Sequence, residues 1–306
     1  MINMKNNYLI ILLFFTTLNG ASPQPVFAQN GMVVSTSSQA SEAGIQIMKK
    51  GGNAVDAAVV TGFALAVTSS SNGNIGGGGF MVARLADGTT FTLDYREIAP
   101  AAAHRDMYLD TNGDVIENMS LRTRAASGVP GTVDGLLKVW EDHGSGNISR
   151  RELLAPAIAL AEKGFELSHY EASRFNSYKE LFSKNEAAAA VFIRKDGLLW
   201  KAGDRLIQKD LAKTLKRIAR EGRDGFYTGK TADLIVAEMN RGIGLISNED
   251  LLNYKSKYRE PVMSSFNDYN LLSMGLPSSG GTILVEMFNM LENFPLAELG
   301  WNSSDY

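Results

Sequence analysis

Asp94-Tyr95-Arg96-Glu97 places three charges and a phenol in four residues, directly after an alternating apolar stretch. A guanidinium at a strand end beside a carboxylate has two uses. It can close a structural ion pair, or it can grip a substrate carboxylate through two parallel N–H bonds. Spacing alone leaves both open. A second unusual stretch lies upstream: Ser71-Asn72-Gly73-Asn74-Ile75-Gly76-Gly77-Gly78-Gly79-Phe80 sets four glycines in a row between apolar segments. In regular structure glycine costs about 0.5–1 kcal/mol relative to alanine, because it loses the most backbone freedom. Gly76, Gly77, Gly78 and Gly79 must therefore permit what a side chain would block: a turn at positive φ, close backbone packing, or N–H groups presented to an anion.

Other chemistry is poorly supported. The three histidines, His104, His143 and His169, have no E-x-x-H partner and no metal-ligand spacing, and read as ordinary surface or satisfied residues. There is no G-x-S-x-G elbow and no Walker A loop. The glycine run follows a helical pattern and precedes a strand, the reverse of the dinucleotide-binding order. Without cysteine, no disulfide forms. The 306 residues are 44% hydrophobic and 21% charged with a net charge of -3, a globular composition with no basic stripe for nucleic acid.

These residues need elements to position them. Gly31–Val34 suggests a short strand. Ser38 or Ser41 caps a helix running to Lys50, with Ala40, Gly44, Ile47 and Met48 on one face. Asn53 caps a second helix, Ala54–Val67, apolar nearly all round and so buried. Phe80–Leu85 and Thr90–Tyr95 form a hairpin around Asp87-Gly88, so the glycines join a buried helix to a central strand. The chain then reads as mostly helical to about Tyr254. Its helices begin at Ser149, at Ser168 (running to about Phe182), near Leu211, at Thr228 and at Ser247. Val262–Ser265 and Leu271–Met274 read as strands, Leu276–Gly281 as a turn and Thr282–Asn293 as a helix.

Residues 1–28 read as a secretory signal. Lys5 precedes the apolar run from Tyr8 to Phe15, and Val26-Phe27-Ala28 sets up cleavage after Ala28. The run is too short to span a bilayer, so no stable membrane anchor is expected and the product is periplasmic or secreted.

Five strings in order carry a resemblance: GGNAVDAAVVTGFALAVT (Gly51–Thr68), GNIGGGGFMV (Gly73–Val82), DYREIAP (Asp94–Pro100), SGVPGTVDGL (Ser127–Leu136) and LPSSGG (Leu276–Gly281). Together they resemble the γ-glutamyltranspeptidase (glutathione hydrolase) family. The likeness runs from about Gly31 to Tyr306, so residues 29–306 correspond to part of that family's large subunit. It implies an α/β fold of layered α+β type, the αββα sandwich of the N-terminal nucleophile hydrolases. Here the sandwich would be incomplete, because the small-subunit part is missing.

The resemblance also implies an activity. A γ-glutamyl group passes from glutathione or a related amide to a threonine nucleophile, then to water or to an amino-acid or peptide acceptor, with no cofactor. Arg96 falls on the arginine that binds the donor α-carboxylate, and Glu97 on its supporting neighbour. Gly76–Gly79 become structural residues near the pocket. Ser278, Ser279, Gly280 and Gly281 match a large-subunit turn that looks structural. The sequence departs from the pattern at Ser69-Ser70-Ser71-Asn72, where many relatives have a His-Pro-containing segment. Thr36, Thr68, Thr228 and Thr282 lack the context of the nucleophile, so no catalytic residue is assigned within this chain. A small subunit is expected as partner, and the 306 residues alone are expected to be inactive. The other readings are a non-catalytic remnant or binding module, and a related acylase acting on β-lactam side chains.

Amino-terminal sequencing of the protein from its source is expected to begin at Gln29; a chain still carrying Met1 would contradict the leader assignment.

Overall fold

The fold is described from a computed structural model, over residues 25–300 and 303–304. Two units are distinguished, residues 1–32 and 33–306. In the first, the described residues 25–32 are exposed and carry no helix or strand. The leader expectation therefore falls largely outside the described residues. In the second unit the expected strand at Gly31–Val34 is absent: residues 33 and 34 belong to no ladder among the described residues.

Two helices form the centre. α1 (Ser38–Lys49) is capped by Ser37, whose Oγ accepts the Ala40 N–H at 3.3 Å. The cap is thus neither Ser38 nor Ser41: both lie inside the helix, and the Ser41 N–H already donates to the Ser37 carbonyl at 3.0 Å. α2 (Ala54–Thr68) begins at a capping box. Asn53 Oδ1 accepts the N–H groups of Val55 and Asp56, and Asp56 Oδ2 accepts the Asn53 N–H. Val59, Val60, Phe63, Ala64 and Val67 are fully buried, as expected of a helix apolar on every side.

A three-stranded antiparallel sheet packs against this core. β1 (Phe80–Arg84) pairs with β2 (Thr90–Asp94) from Phe80↔Asp94 to Arg84↔Thr90. β1 is an edge strand among the described residues, not a central one, because β2 takes the middle place. Two further pairs are β3 (Phe165–Glu166) with β4 (Arg205–Leu206), and a hairpin described below. The third strand of the main sheet is β5 (Lys257–Arg259), paired to β2 through Leu93↔Tyr258. Phe91 and Leu93 of β2 enter the buried core.

Helices α3 (Thr132–His143) and α4 (Arg150–Lys163) lie against α2. The segment of the fourth expected helix divides into α5 (His169–Ser177) and α6 (Lys179–Ser183), and α7 (Glu186–Phe192) follows. α8 (Lys209–Glu221) buries Leu215 and Ile218 against α4, and α9 (Asp224–Tyr227), α10 (Gly229–Met239) and α11 (Asn248–Asn253) complete the layer. The hairpin of β6 (Val262–Phe266) and β7 (Tyr269–Ser273) packs on α12 (Gly280–Leu291), Phe266 against Phe288 at 4.6 Å. Residues 95–118 hold no helix, against the expectation of a mostly helical chain there. No helix of the described residues is long and apolar enough to cross a membrane.

One buried carboxylate joins the parts that surround the Asp94–Glu97 segment. Asp134, in the first turn of α3, is 6% exposed. Its Oδ1 accepts Arg223 Nε at 2.7 Å, and its Oδ2 accepts Ser256 N–H at 2.8 Å and Ser256 Oγ at 2.6 Å. Arg223 Nη2 also donates to the carbonyls of Leu252 and Tyr254 at 3.0 and 2.6 Å. A buried charge is tolerated only when paired and hydrogen-bonded, and removing one partner leaves the other uncompensated. Asp134→Ala is therefore expected to lower stability by roughly 3 kcal/mol, read from the urea midpoint; an unchanged midpoint would contradict the role given to this carboxylate.

Candidate functional site

The segment Tyr95–Glu97 leaves β2 where the ladder ends. Its last backbone pair is Tyr95 with Gly79, N–H to carbonyl at 3.0 and 3.3 Å. From there the chain is held by contact on several sides. A Cβ at Gly78 would lie 2.4 Å from Tyr95 O, 2.8 Å from Arg96 Cα and 2.8 Å from Glu97 N. A Cβ at Gly77 would lie 2.8 Å from Asn74 Oδ1 and 2.9 Å from Glu97 Oε1, and one at Gly79 2.8 Å from the Tyr95 ring. Gly76 faces open space instead. None of the four has positive φ, so of their possible uses the geometry at Gly77, Gly78 and Gly79 is close packing.

The glycine run also receives α3. The Gly77 carbonyl accepts the N–H groups of Gly131 and Thr132 at 2.7 and 3.0 Å. Asn74 Oδ1 accepts Gly77 N–H and Thr132 Oγ1, both at 2.8 Å. The N–H groups of Gly131, the N-cap, and of Thr132, the first residue of α3, are thus satisfied by the loop that carries the glycines, while that of Asp134 donates to the Tyr227 hydroxyl at 3.2 Å.

Arg96 combines a fixed main chain with an open side chain. Its N–H donates to Asp94 Oδ1 at 3.0 Å, and its carbonyl accepts the Tyr254 hydroxyl at 2.8 Å. Its guanidinium lies 5.6 Å from the Phe80 ring centroid and is 53% exposed. Arg96 Nε donates to Glu97 Oε2 at 3.3 Å, while neither terminal Nη has an acceptor among the described residues. An ion pair this exposed contributes at most about 1 kcal/mol. What the arrangement can do chemically is present two parallel N–H donors to an incoming carboxylate.

Behind Arg96, Asp94, Tyr254 and Tyr227 are buried. Asp94 also accepts Arg259 Nε at Oδ2, 2.7 Å away. Burial above all, and then the nearby Asp134 and Asp94 charges, hold the Tyr254 phenol well above its ordinary range, so it remains a donor. Tyr254 stacks on Tyr227 at 5.8 Å, and Arg223 lies over the Tyr227 ring at 4.5 Å. Tyr227 hydroxyl donates to the Pro130 carbonyl at 2.8 Å.

Sequence reasoning placed Arg96, Glu97 and the glycines in one region and missed Asn74, Asp134, Tyr254 and Arg259. Asn74 was detectable, as an amide inside the glycine run. Tyr254 and Arg259 carry no local signal. The three histidines do not converge. His143 ends α3 and stacks on Phe91 at 4.2 Å, while His104 and His169 are exposed. Ser278, Ser279, Gly280 and Gly281 lead into α12 and share no hydrogen bond with Arg96 or Glu97.

The loop after Glu97 is tied down by Asp250, whose Oδ1 accepts the Ala101 N–H at 2.7 Å and whose Oδ2 completes the Ser247 capping box. Burial would raise this carboxyl, but hydrogen bonds from Ser247 and Ala101 outweigh it and hold it below its ordinary value. A lowered folded value means that the stabilisation is present above the unfolded carboxylate value of about 3.9 and lost as pH falls through the folded one. Between pH 7 and pH 3 the melting temperature should fall further in the parent than in Asp250→Asn. Parallel curves would contradict this.

The gamma-glutamyltranspeptidase family matches residues 40–306. A glutathione hydrolase proenzyme of Pseudomonas sp. (strain A14) is 44% identical over 98% of this chain and 53% of its own length. One of Escherichia coli (strain K12) is 43% identical over 92% of this chain and 48% of its own. The chain thus spans about half the length of these relatives. The crystal structure of Helicobacter pylori gamma-glutamyltranspeptidase matches with a TM-score of 0.88 and 42% identity, over 92% of this chain and 80% of that one.

Proposed function

The chain belongs to the gamma-glutamyltranspeptidase family, and from that premise we propose that it supplies the donor-carboxylate site of an enzyme that transfers or hydrolyses γ-glutamyl groups of glutathione and related amides. The observation that carries this reading is Arg96: a guanidinium whose main chain is fixed on both sides and whose two Nη groups have no acceptor among the described residues.

The chemistry follows from that fork. The α-carboxylate of a γ-glutamyl donor lies at one end of the group and the scissile γ-carbonyl at the other. Gripping the carboxylate with two N–H bonds fixes its orientation and carries the γ-carbonyl to one place. Glu97, bonded to Nε, orients the guanidinium plane and leaves the outer edge of the fork to the ligand. The acyl group is taken by a threonine nucleophile outside this chain, on a small-subunit partner, and released to water or to an amino-acid or peptide acceptor. No cofactor takes part in this reading.

Two surface features favour a partner chain. Ile283, Leu284, Met287 and Met290 of α12 are each more than 40% exposed, and β1 and β5 are edge strands among the described residues. Contiguous exposed apolar surface and open strand edges are common marks of an interface. Export through the amino-terminal leader places the enzyme in the periplasm or outside the cell. An acylase for side chains that lack an amino-acid carboxylate has less use for Arg96, which favours the γ-glutamyl donor.

The test is release of the chromophore from a γ-glutamyl anilide by the protein purified from its source. Two charge-assisted bonds lost should raise KM in Arg96→Ala by at least about 100-fold, and Arg96→Lys should recover only part of it. An unchanged KM in Arg96→Ala would overturn the assignment.

A further inference from the structure

We propose that Tyr254 and the Asp94–Arg259 pair are positioning residues that hold the Arg96 main chain from opposite sides and so set the donor affinity of the guanidinium; this rests on reading Arg96 as the carboxylate clamp. Arg96 lies just beyond the last ladder pair, Tyr95 with Gly79, where no strand partner satisfies its peptide groups. Both groups are taken by side chains instead. Asp94 Oδ1 accepts the N–H at 3.0 Å, and Tyr254 donates to the carbonyl at 2.8 Å.

Each of these side chains is itself located. Arg259 Nε holds Asp94 Oδ2 at 2.7 Å and leaves Oδ1 for Arg96. Tyr254 is 1% exposed, its ring lies 7° from parallel with Tyr227, and its own carbonyl accepts Arg223 Nη2 at 2.6 Å. Space for its hydroxyl comes from Gly131, where a Cβ would sit 2.0 Å from that oxygen and 2.2 Å from the Tyr95 carbonyl. The Arg96 side chain, by contrast, is half exposed. A long side chain binds more tightly when its base is already placed, because less freedom remains to be lost. Neither Tyr254 nor Arg259 hydrogen-bonds the guanidinium, so their effect should fall on donor binding and not on the chemical step.

The experiment is steady-state turnover of a γ-glutamyl anilide by the protein from its source, with a thermal melt of every variant. Tyr254→Phe keeps the ring stack and removes one hydrogen bond, so KM should rise about five- to tenfold, with kcat within about twofold of the parent. In the Arg96→Ala background the same change should add nothing, since the clamp it positions is gone. Arg259→Gln, on a partly exposed side chain, should raise KM in the same sense and decides the matter if Tyr254→Phe does not fold. If Arg96→Ala raises KM while Tyr254→Phe and Arg259→Gln do not, the positioning inference fails and the clamp stands. A full additive effect in the double variant overturns it too, as the mark of a merely structural role. No turnover by the parent, or an unchanged KM in Arg96→Ala, removes the clamp reading and this inference with it.

Discussion

The Asp134 carboxylate is the constraint on which the arrangement around Arg96 depends. It is buried in the first turn of α3, and it joins that turn to Arg223 ahead of α9 and to Ser256 ahead of β5. Arg223 then reaches the carbonyls that end α11. Three pieces of chain, distant in sequence, are therefore tied together: the first turn of α3, Arg223, and residues 252–256. A partly satisfied buried network is worse than an apolar core, so each partner is required by the others. Tyr254 is placed by this network, and its hydroxyl carries the restraint onward to Arg96.

The glycines serve the same end by their smallness. Gly78, Gly131 and Gly135 sit where a Cβ would collide with Tyr95, Arg96 or Glu97 atoms, or with the Tyr254 hydroxyl. They let three elements approach one short segment closely. The Gly77 carbonyl in turn accepts the N–H groups of Gly131 and Thr132, the N-cap and first residue of α3, so the loop both admits the helix and helps to cap it. The result is a rigid base under a guanidinium whose outer edge is open.

Much of this organisation was legible in the sequence where the signal is local. Asn53, Ser149, Ser168 and Ser247 each begin a helix through a capping box, a pattern complete within four residues. Asp87-Gly88 marked the β1–β2 hairpin for the same reason. Ser37 could not be told from its neighbours, because Ser35, Thr36, Ser37, Ser38 and Ser41 all carry a hydroxyl that suits a cap. β5 has three exposed residues and no alternation, and it exists because β2 needs a second partner. Arg96 and Glu97 were visible as a charged strand end. Tyr254, Arg259 and Asp134 were not, because only the fold brings them to that segment.

In the proposed function donor recognition rests on one contact, between the Arg96 guanidinium and the α-carboxylate of a γ-glutamyl group. The most direct measurement is a crystal structure of the protein from its source with L-glutamate bound. The α-carboxylate is expected in two parallel hydrogen bonds to Arg96, with the Arg96 main chain still held by Asp94 and Tyr254. Glutamate bound elsewhere, with Arg96 paired only to Glu97, would contradict it.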